Sequence, residues 1–228
     1  MKFIIVGLGS FGSSLAQKLT IMGHEVIGVD SKMSKVESLK ESITHTICLD
    51  STDKMAIKHL PLEDTDIVIV CIGEDEGASI MATALMKQAN VKRLISRAVS
   101  PLHETILEAM QVDEIVHPEE ETAERWAKKL NIRGVVDSFE LSGEYHVIEA
   151  KVPAKFAGKT IEEIGVRRDY NIIVMTTIKV IQEKNLIGSF RKVKKVQELA
   201  SAKTVLEAED ILVLYGRMND IKNFLKEG

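Results

Sequence analysis

Phe3-Ile4-Ile5-Val6-Gly7-Leu8-Gly9-Ser10-Phe11-Gly12 is the stretch that decides the fold. Four apolar residues run into glycines spaced G-x-G-x-x-G, and the next apolar run, Val26-Ile27-Gly28-Val29, ends on an acid, Asp30. A strand, a sharp turn and a helix start in that order make a phosphate-binding turn. Gly7 allows the turn, Gly9 lets the backbone approach a pyrophosphate, and Gly12 lets the helix pack closely on the sheet. N–H groups at the helix start then hold phosphate, and the helix dipole favours its charge. Asp30 lies eighteen residues past Gly12, where a carboxylate accepts both ribose hydroxyls.

The glycines alone are a weak signal, since they also mark an empty turn, and Asp30 also reads as the start of a loop at Ser31. A strand from residue 3 and an acid at the correct offset make the combination specific for an adenine nucleotide. An acid here opposes a 2′-phosphate, so NAD(H), ATP and ADP are favoured over NADP(H), with Lys32 offsetting this slightly.

The composition fits one large or two modest domains: 228 residues, 45% hydrophobic, with a net charge of −4. That charge gives no basic surface for nucleic acid, and 4% aromatic residues are too few for a base-stacking platform. No apolar run reaches the roughly 18–20 residues of a spanning helix, and no signal segment precedes the first strand. A soluble cytoplasmic protein is expected. Cys48 and Cys71 each fall in an expected buried strand and read as reduced core thiols, with neither CxxC nor zinc spacing.

The first half alternates short apolar runs with amphipathic stretches, the pattern of a Rossmann-like doubly wound parallel sheet in an α/β domain. Strands are expected near 2–6, 25–29, 45–49, 67–72, 93–97 and 114–117. Helices are expected near 10–22, 34–41, 53–60, 76–90, 101–110 and 119–130. The pattern breaks at Asn131-Ile132-Arg133-Gly134. From Phe139 onward the segments shorten, with strand-like runs at 145–152, 171–178 and 211–216, a helical turn or two at 160–165 and a closing helix at 218–226. We therefore expect a nucleotide-binding domain over 1–135 and a smaller α+β domain over 136–228.

Other candidates lie at strand ends, where open α/β sheets place ligands. Asp50 and Ser51 read as adenine or ribose contacts, or else Ser51 or Thr52 simply caps the next helix. Ile72 and Gly73 end the fourth strand, where Gly73 either lets a nucleotide pass close or turns the chain. Arg97 reads as a bidentate phosphate contact or as a surface ion pair. Glu119 on residues alone complements a helix dipole. The six histidines lack metal-ligand spacing and read as structural or solvent-facing, and there is no nucleophile–base motif, so no catalytic or metal residue is assigned. The basic run Phe190-Arg191-Lys192-Val193-Lys194-Lys195-Val196 reads as a solvated loop or edge strand, or else as a contact for anionic headgroups.

With these segments in order, the chain resembles the cytoplasmic regulatory subunits of bacterial Ktr/Trk potassium transporters, which join an RCK (TrkA-N) domain to a TrkA-C domain. The resemblance covers essentially the whole chain. It rests on Val6–Gly12, Gly23-His24-Glu25-Val26 before Asp30, Leu49–Asp53, Val70–Glu74 and Ala109–Glu119. In the second domain it rests on Gly158-Lys159-Thr160-Ile161 and Glu209–Gly216. It implies a non-enzymatic gating protein, built of dimers into an octameric ring on the inner face of a membrane transporter, with ATP favouring activity and ADP or NAD(H) biasing other states. By position it implies that Asp30 holds ribose, Asp50 and Ser51 face adenosine, Arg97 contacts phosphate, and Glu119 helps bind a cation or phosphate across a subunit interface. Ser10 departs from the Arg that many members carry nearby, which argues against a strong preference for ATP over ADP. Some relatives bind cyclic di-AMP in a TrkA-C dimer, and Ile164, Arg167 and Asn171 lie in the matching stretch. The extra length around Ile181–Ala202 also departs from a minimal TrkA-C module.

Two other readings remain open. A small NAD-dependent oxidoreductase or NADH redox sensor shares the glycine turn but lacks a catalytic constellation here. A DNA-binding regulator would need a helix-turn-helix flank and a basic balance, and the sequence has neither.

Overall fold

The computed structural model describes residues 1–131, 134–184 and 190–226. The chain divides into two compact units, Met1–Glu120 and Glu121–Gly228. The expected break at 131–134 lies partly outside the described residues.

The first unit carries six strands: β1 (Lys2–Val6), β2 (Glu25–Asp30), β3 (His45–Cys48), β4 (Ile67–Val70), β5 (Leu94–Arg97) and β6 (Glu114–Val116). Between them run α1 (Ser10–Ile21), α2 (Met33–Leu39), α3 (Lys54–Ile57), α4 (Glu76–Gln88) and α5 (Pro101–Ala109), and α6 (Pro118–Asn131) follows β6. The strand order is β3-β2-β1-β4-β5-β6, and every pairing is parallel. The Rossmann-like sheet is thus the one expected from the sequence.

Side chains on a strand point alternately to the two faces, and a parallel sheet covered by helices needs both faces apolar. β1 does this with its uninterrupted run. Phe3 and Ile5 join a cluster with Ala16, Val36 and Leu39 of α1 and α2. Ile4 and Val6 join another with Ile57, Ala82 and Met86 of α3 and α4. Gly23 ends α1 in a left-handed conformation, with φ at 86°. One expectation fails here: Cys48 is exposed, although Cys71 is buried. β3 is an edge strand, so its last residue lacks a neighbour on one side.

The second unit is α+β. Its strands are β7 (Val135–Ser142), β8 (Tyr145–Lys151), β9 (Ile173–Lys184), β10 (Phe190–Leu199) and β11 (Ile211–Arg217), in the antiparallel order β10-β9-β11-β8-β7. The helices are α7 (Ile161–Ile164), α8 (Val166–Tyr170) and α9 (Met218–Lys226). The basic run lies on β10, an edge strand. One core cluster joins Ile148, Leu212 and Leu214 to Ile221 and Phe224 of α9. Phe156 stacks on Phe224 at 4.9 Å, and Tyr170 meets Phe224 edge-on at 5.2 Å.

Helix α6 spans the boundary between the units, and from Glu121 onward it belongs to the second. The sequence pattern assigns all of it to the expected first domain, 1–135.

Candidate nucleotide-binding site

A doubly wound sheet leaves a crevice where the strand order reverses, here outside the carboxyl ends of β1 and β4. The glycine turn lies at that point, beside a cleft of about 570 Å³. Gly7 has φ at 96°, and its N–H donates to the Val29 carbonyl at 2.7 Å, tying the turn to β2. Gly12 packs against the turn, where a Cβ would fall 1.9 Å from the Gly7 carbonyl oxygen. A Cβ on Gly9 would meet no protein atom within 4 Å.

Helix α1 begins without a side-chain cap and with no acid in its first turn. Its first N–H groups have no partner within the helix, so the start is a set of donors with positive dipole facing the cleft. By contrast α4 is capped by Asp75, which accepts from Ala78 N–H at 2.9 Å, and α5 by Ser100. Open space over Gly9 and an uncapped helix start fit a phosphate group.

Asp30 stands opposite, 8% exposed. One carboxylate oxygen accepts the Leu8 N–H at 2.8 Å and the other the Lys32 N–H at 2.9 Å. A carboxylate offers about four lone-pair sites, so two remain for a diol. The backbone thus holds the acid in place rather than using it up.

The rest of the rim is charged. Asp50 folds onto Thr52, accepting its hydroxyl at 2.7 Å and its N–H at 2.9 Å, which together lower the Asp50 pKa. Ser51 is buried in the lining. Asp53, rather than Ser51 or Thr52, caps α3 through the Met55 N–H. Arg97 donates to Glu119 at 2.6 Å and lies so close to Gly73 that a Cβ there would fall 2.4 Å from the guanidinium. Gly73 therefore makes room for Arg97. Burial pushes the Cys71 thiol up to about 12, with Arg97 opposing. Lys32 reaches Glu74 at 2.9 Å and Lys35 reaches it at 3.2 Å; these contacts, that from Lys32 first, hold the Glu74 carboxyl below its usual range.

Of the expected residues, Gly7, Gly9, Ser10, Phe11, Asp30, Ser31, Asp50, Ser51, Ile72, Gly73, Arg97 and Glu119 all line this one cleft. Gly12 does not line the cleft but packs against Gly7 and Cys71, which do. The sequence reading missed Lys35 and Glu74, whose signal was only that of ordinary charged residues near a helix start. In the second unit the three expected residues line no common depression within one copy of the chain. Ile164 is in the core, Arg167 lines a depression of about 440 Å³, and Asn171 lines another of about 410 Å³, where it donates to Asp220 at 3.4 Å.

The model of the TrkA-N domain family matches residues 3–118. The Ktr system potassium uptake protein C of Bacillus subtilis is 33% identical over 225 residues, covering 99% of this chain and 96% of the relative. The Ktr system potassium uptake protein A of the same organism is 28% identical over 227 residues, covering 100% of this chain and 96% of the relative. The solved GsuK channel bound to NAD superposes with a TM-score of 0.61 at 20% identity, over 99% of this chain and 38% of that one, which shows the shared fold. With the glycine turn and Asp30 in one cleft and near full-length relatives of this kind, the chain belongs to the TrkA-N family, among the regulatory subunits of Ktr/Trk potassium-uptake systems.

Proposed function

We propose that this chain is the cytoplasmic nucleotide sensor of a membrane potassium-uptake system, and that it gates the transporter subunit through a ligand-dependent change in a ring of its own copies. The observation that carries this reading is the uncapped start of α1, open over Gly9 and faced by the backbone-held Asp30. That arrangement binds a phosphate and a ribose diol together. The ligand is an adenine nucleotide with a free 2′-hydroxyl: NAD(H), ATP or ADP. The fold relative solved with NAD supports the class.

Binding can shift a ring only by favouring one shape over another, so the proposed sensor needs contacts that differ between states. Arg97 and Glu119 supply a candidate, since a terminal phosphate competes with Glu119 for the same guanidinium. Assembly is supported by α6. Ala123, Trp126, Ala127 and Leu130 form one apolar stripe at helical spacing, and all four are exposed. Meanwhile Arg125 and Lys128 turn to Asp137 and Glu140 of β7. An amphipathic helix that spends its polar side on its own unit presents its apolar side to a second copy. The octameric ring of dimers follows from the family resemblance. No helix among the described residues is long and apolar enough to cross a membrane. In this reading the chain meets the membrane through the transporter subunit.

Calorimetric titration with ATP, ADP, NAD and NADH, beside light scattering with and without nucleotide, tests the proposal. Micromolar binding that Asp30→Ala abolishes, by a discrete oligomer whose dimensions change, is the expected result. Hydride transfer from NADH to a small substrate would move the chain to the oxidoreductase reading. Titrating cyclic di-AMP in the same series tests the second unit as a site.

A further inference from the structure

We infer that Glu74 sets the specificity of the cleft for a free ribose 2′-hydroxyl, by neutralising Lys32 and Lys35 beside the sugar that Asp30 binds. The inference rests on the nucleotide reading of the cleft and names a residue that reading does not use. Lys32 and Lys35 flank the ribose acid: the Lys35 ammonium is 3.7 Å from an Asp30 oxygen, so a sugar on Asp30 lies within reach of it. Two ammonium groups beside one carboxylate would make the Asp30 side of the rim locally positive, the setting in which a ribose 2′-phosphate is accepted. Asp30 alone does not therefore settle the choice.

Glu74 reverses that balance. It comes from the other side of the cleft, four residues beyond β4, and takes one lysine on each of its oxygens, Lys32 at 2.9 Å and Lys35 at 3.2 Å. With Glu74 that side of the rim holds two cations against two carboxylates. Both lysines also have their donors directed at a protein anion. The other carboxylates of the cleft are committed elsewhere: Asp50 to Thr52, Asp75 to the α4 cap and Glu119 to Arg97. A 2′-phosphate would have to displace Glu74 from both lysines and then sit beside Asp30.

The test is the ratio of affinities for NAD and NADP, and for ADP and its 2′-phosphorylated counterpart, in wild-type protein and Glu74→Gln at low salt. The inference expects the ratio to move toward the 2′-phosphate by about tenfold in the variant, and the shift to shrink at high salt. Adding Lys35→Gln to Glu74→Gln should take back most of that shift, because the freed cation is what the phosphate meets. An unchanged ratio in Glu74→Gln overturns the role of Glu74 while leaving the nucleotide reading intact. Absence of binding by wild-type protein to all four ligands overturns both.

Discussion

The two units solve the same packing problem in opposite ways. In the first, a parallel sheet is buried on both faces by aliphatic clusters, so the ends of the strands are left for a ligand. In the second, an antiparallel sheet has one face on a single core centred on Phe156, Tyr170 and Phe224. Along its other face Phe139 is 69% exposed and α6 approaches through the ion pairs of Arg125 and Lys128. The difference teaches where function can be read. A sheet closed on both sides dictates its site by topology, while a sheet with an open side leaves its ligand or partner to surface chemistry.

The comparison breaks most sharply at Phe224. If the second unit depends on one aromatic core, Phe224→Ala should cost about 3–5 kcal/mol, read from urea denaturation. A loss below about 1 kcal/mol would mean that the cluster is not what holds that sheet to α9.

Next comes a pair of glycines in the first unit. Gly12→Ala puts a methyl against a backbone oxygen and should destabilise by about 3 kcal/mol or more. Gly9→Ala, with space around it, should change stability by less than about 0.5 kcal/mol yet weaken adenine-nucleotide binding about tenfold. Equal effects of the two on stability would erase the distinction between a packing glycine and a ligand glycine.

A smaller effect tests local structure in the second unit. Thr160 caps α7 and forms a reciprocal box with Glu163, so Thr160→Ala should cost about 1 kcal/mol. A cost near zero would show that the short helices add nothing to the unit beyond their core contacts.

The last test has no effect near neutrality. His103 in the first unit is fully buried with neither ring nitrogen hydrogen-bonded among the described residues, and burial lowers its pKa from 6.5. The folded state therefore binds the proton less readily than the unfolded chain does. Stability from this residue is intact above pH 6.5 and is lost as the pH falls below it. The stability gap between His103→Leu and wild type should move toward the variant from pH 6.5 down to 5, and His146→Leu should do the same in the second unit. A gap independent of pH in either unit would mean that its histidine stays neutral in the unfolded state as well, or charges in the folded one.

Most of the first unit was legible from the sequence. Alternating apolar runs, Gly23 after α1 and the spacing from Gly7 to Asp30 are local signals, because strand period, helix caps and the phosphate turn each depend on neighbours in the chain. Twelve of the expected ligand residues meet in one cleft because strand ends are brought together by a parallel sheet whose order follows from that same alternation. What the tertiary structure alone decided depends on contacts between distant segments. Cys48 is exposed because β3 lies at an edge. Gly73 leaves the space that the guanidinium of Arg97, twenty-four positions on, occupies. Glu74 meets Lys32 and Lys35 only because β2 and β4 flank β1. Ile164 and Asn171 part company because one side of α7 and α8 enters the core while Asn171 turns toward α9. Charge pairing across a cleft carries no periodic trace, and α7 and α8, at four and five residues, are too short to show a helical period, so no reading of spacing could have supplied either.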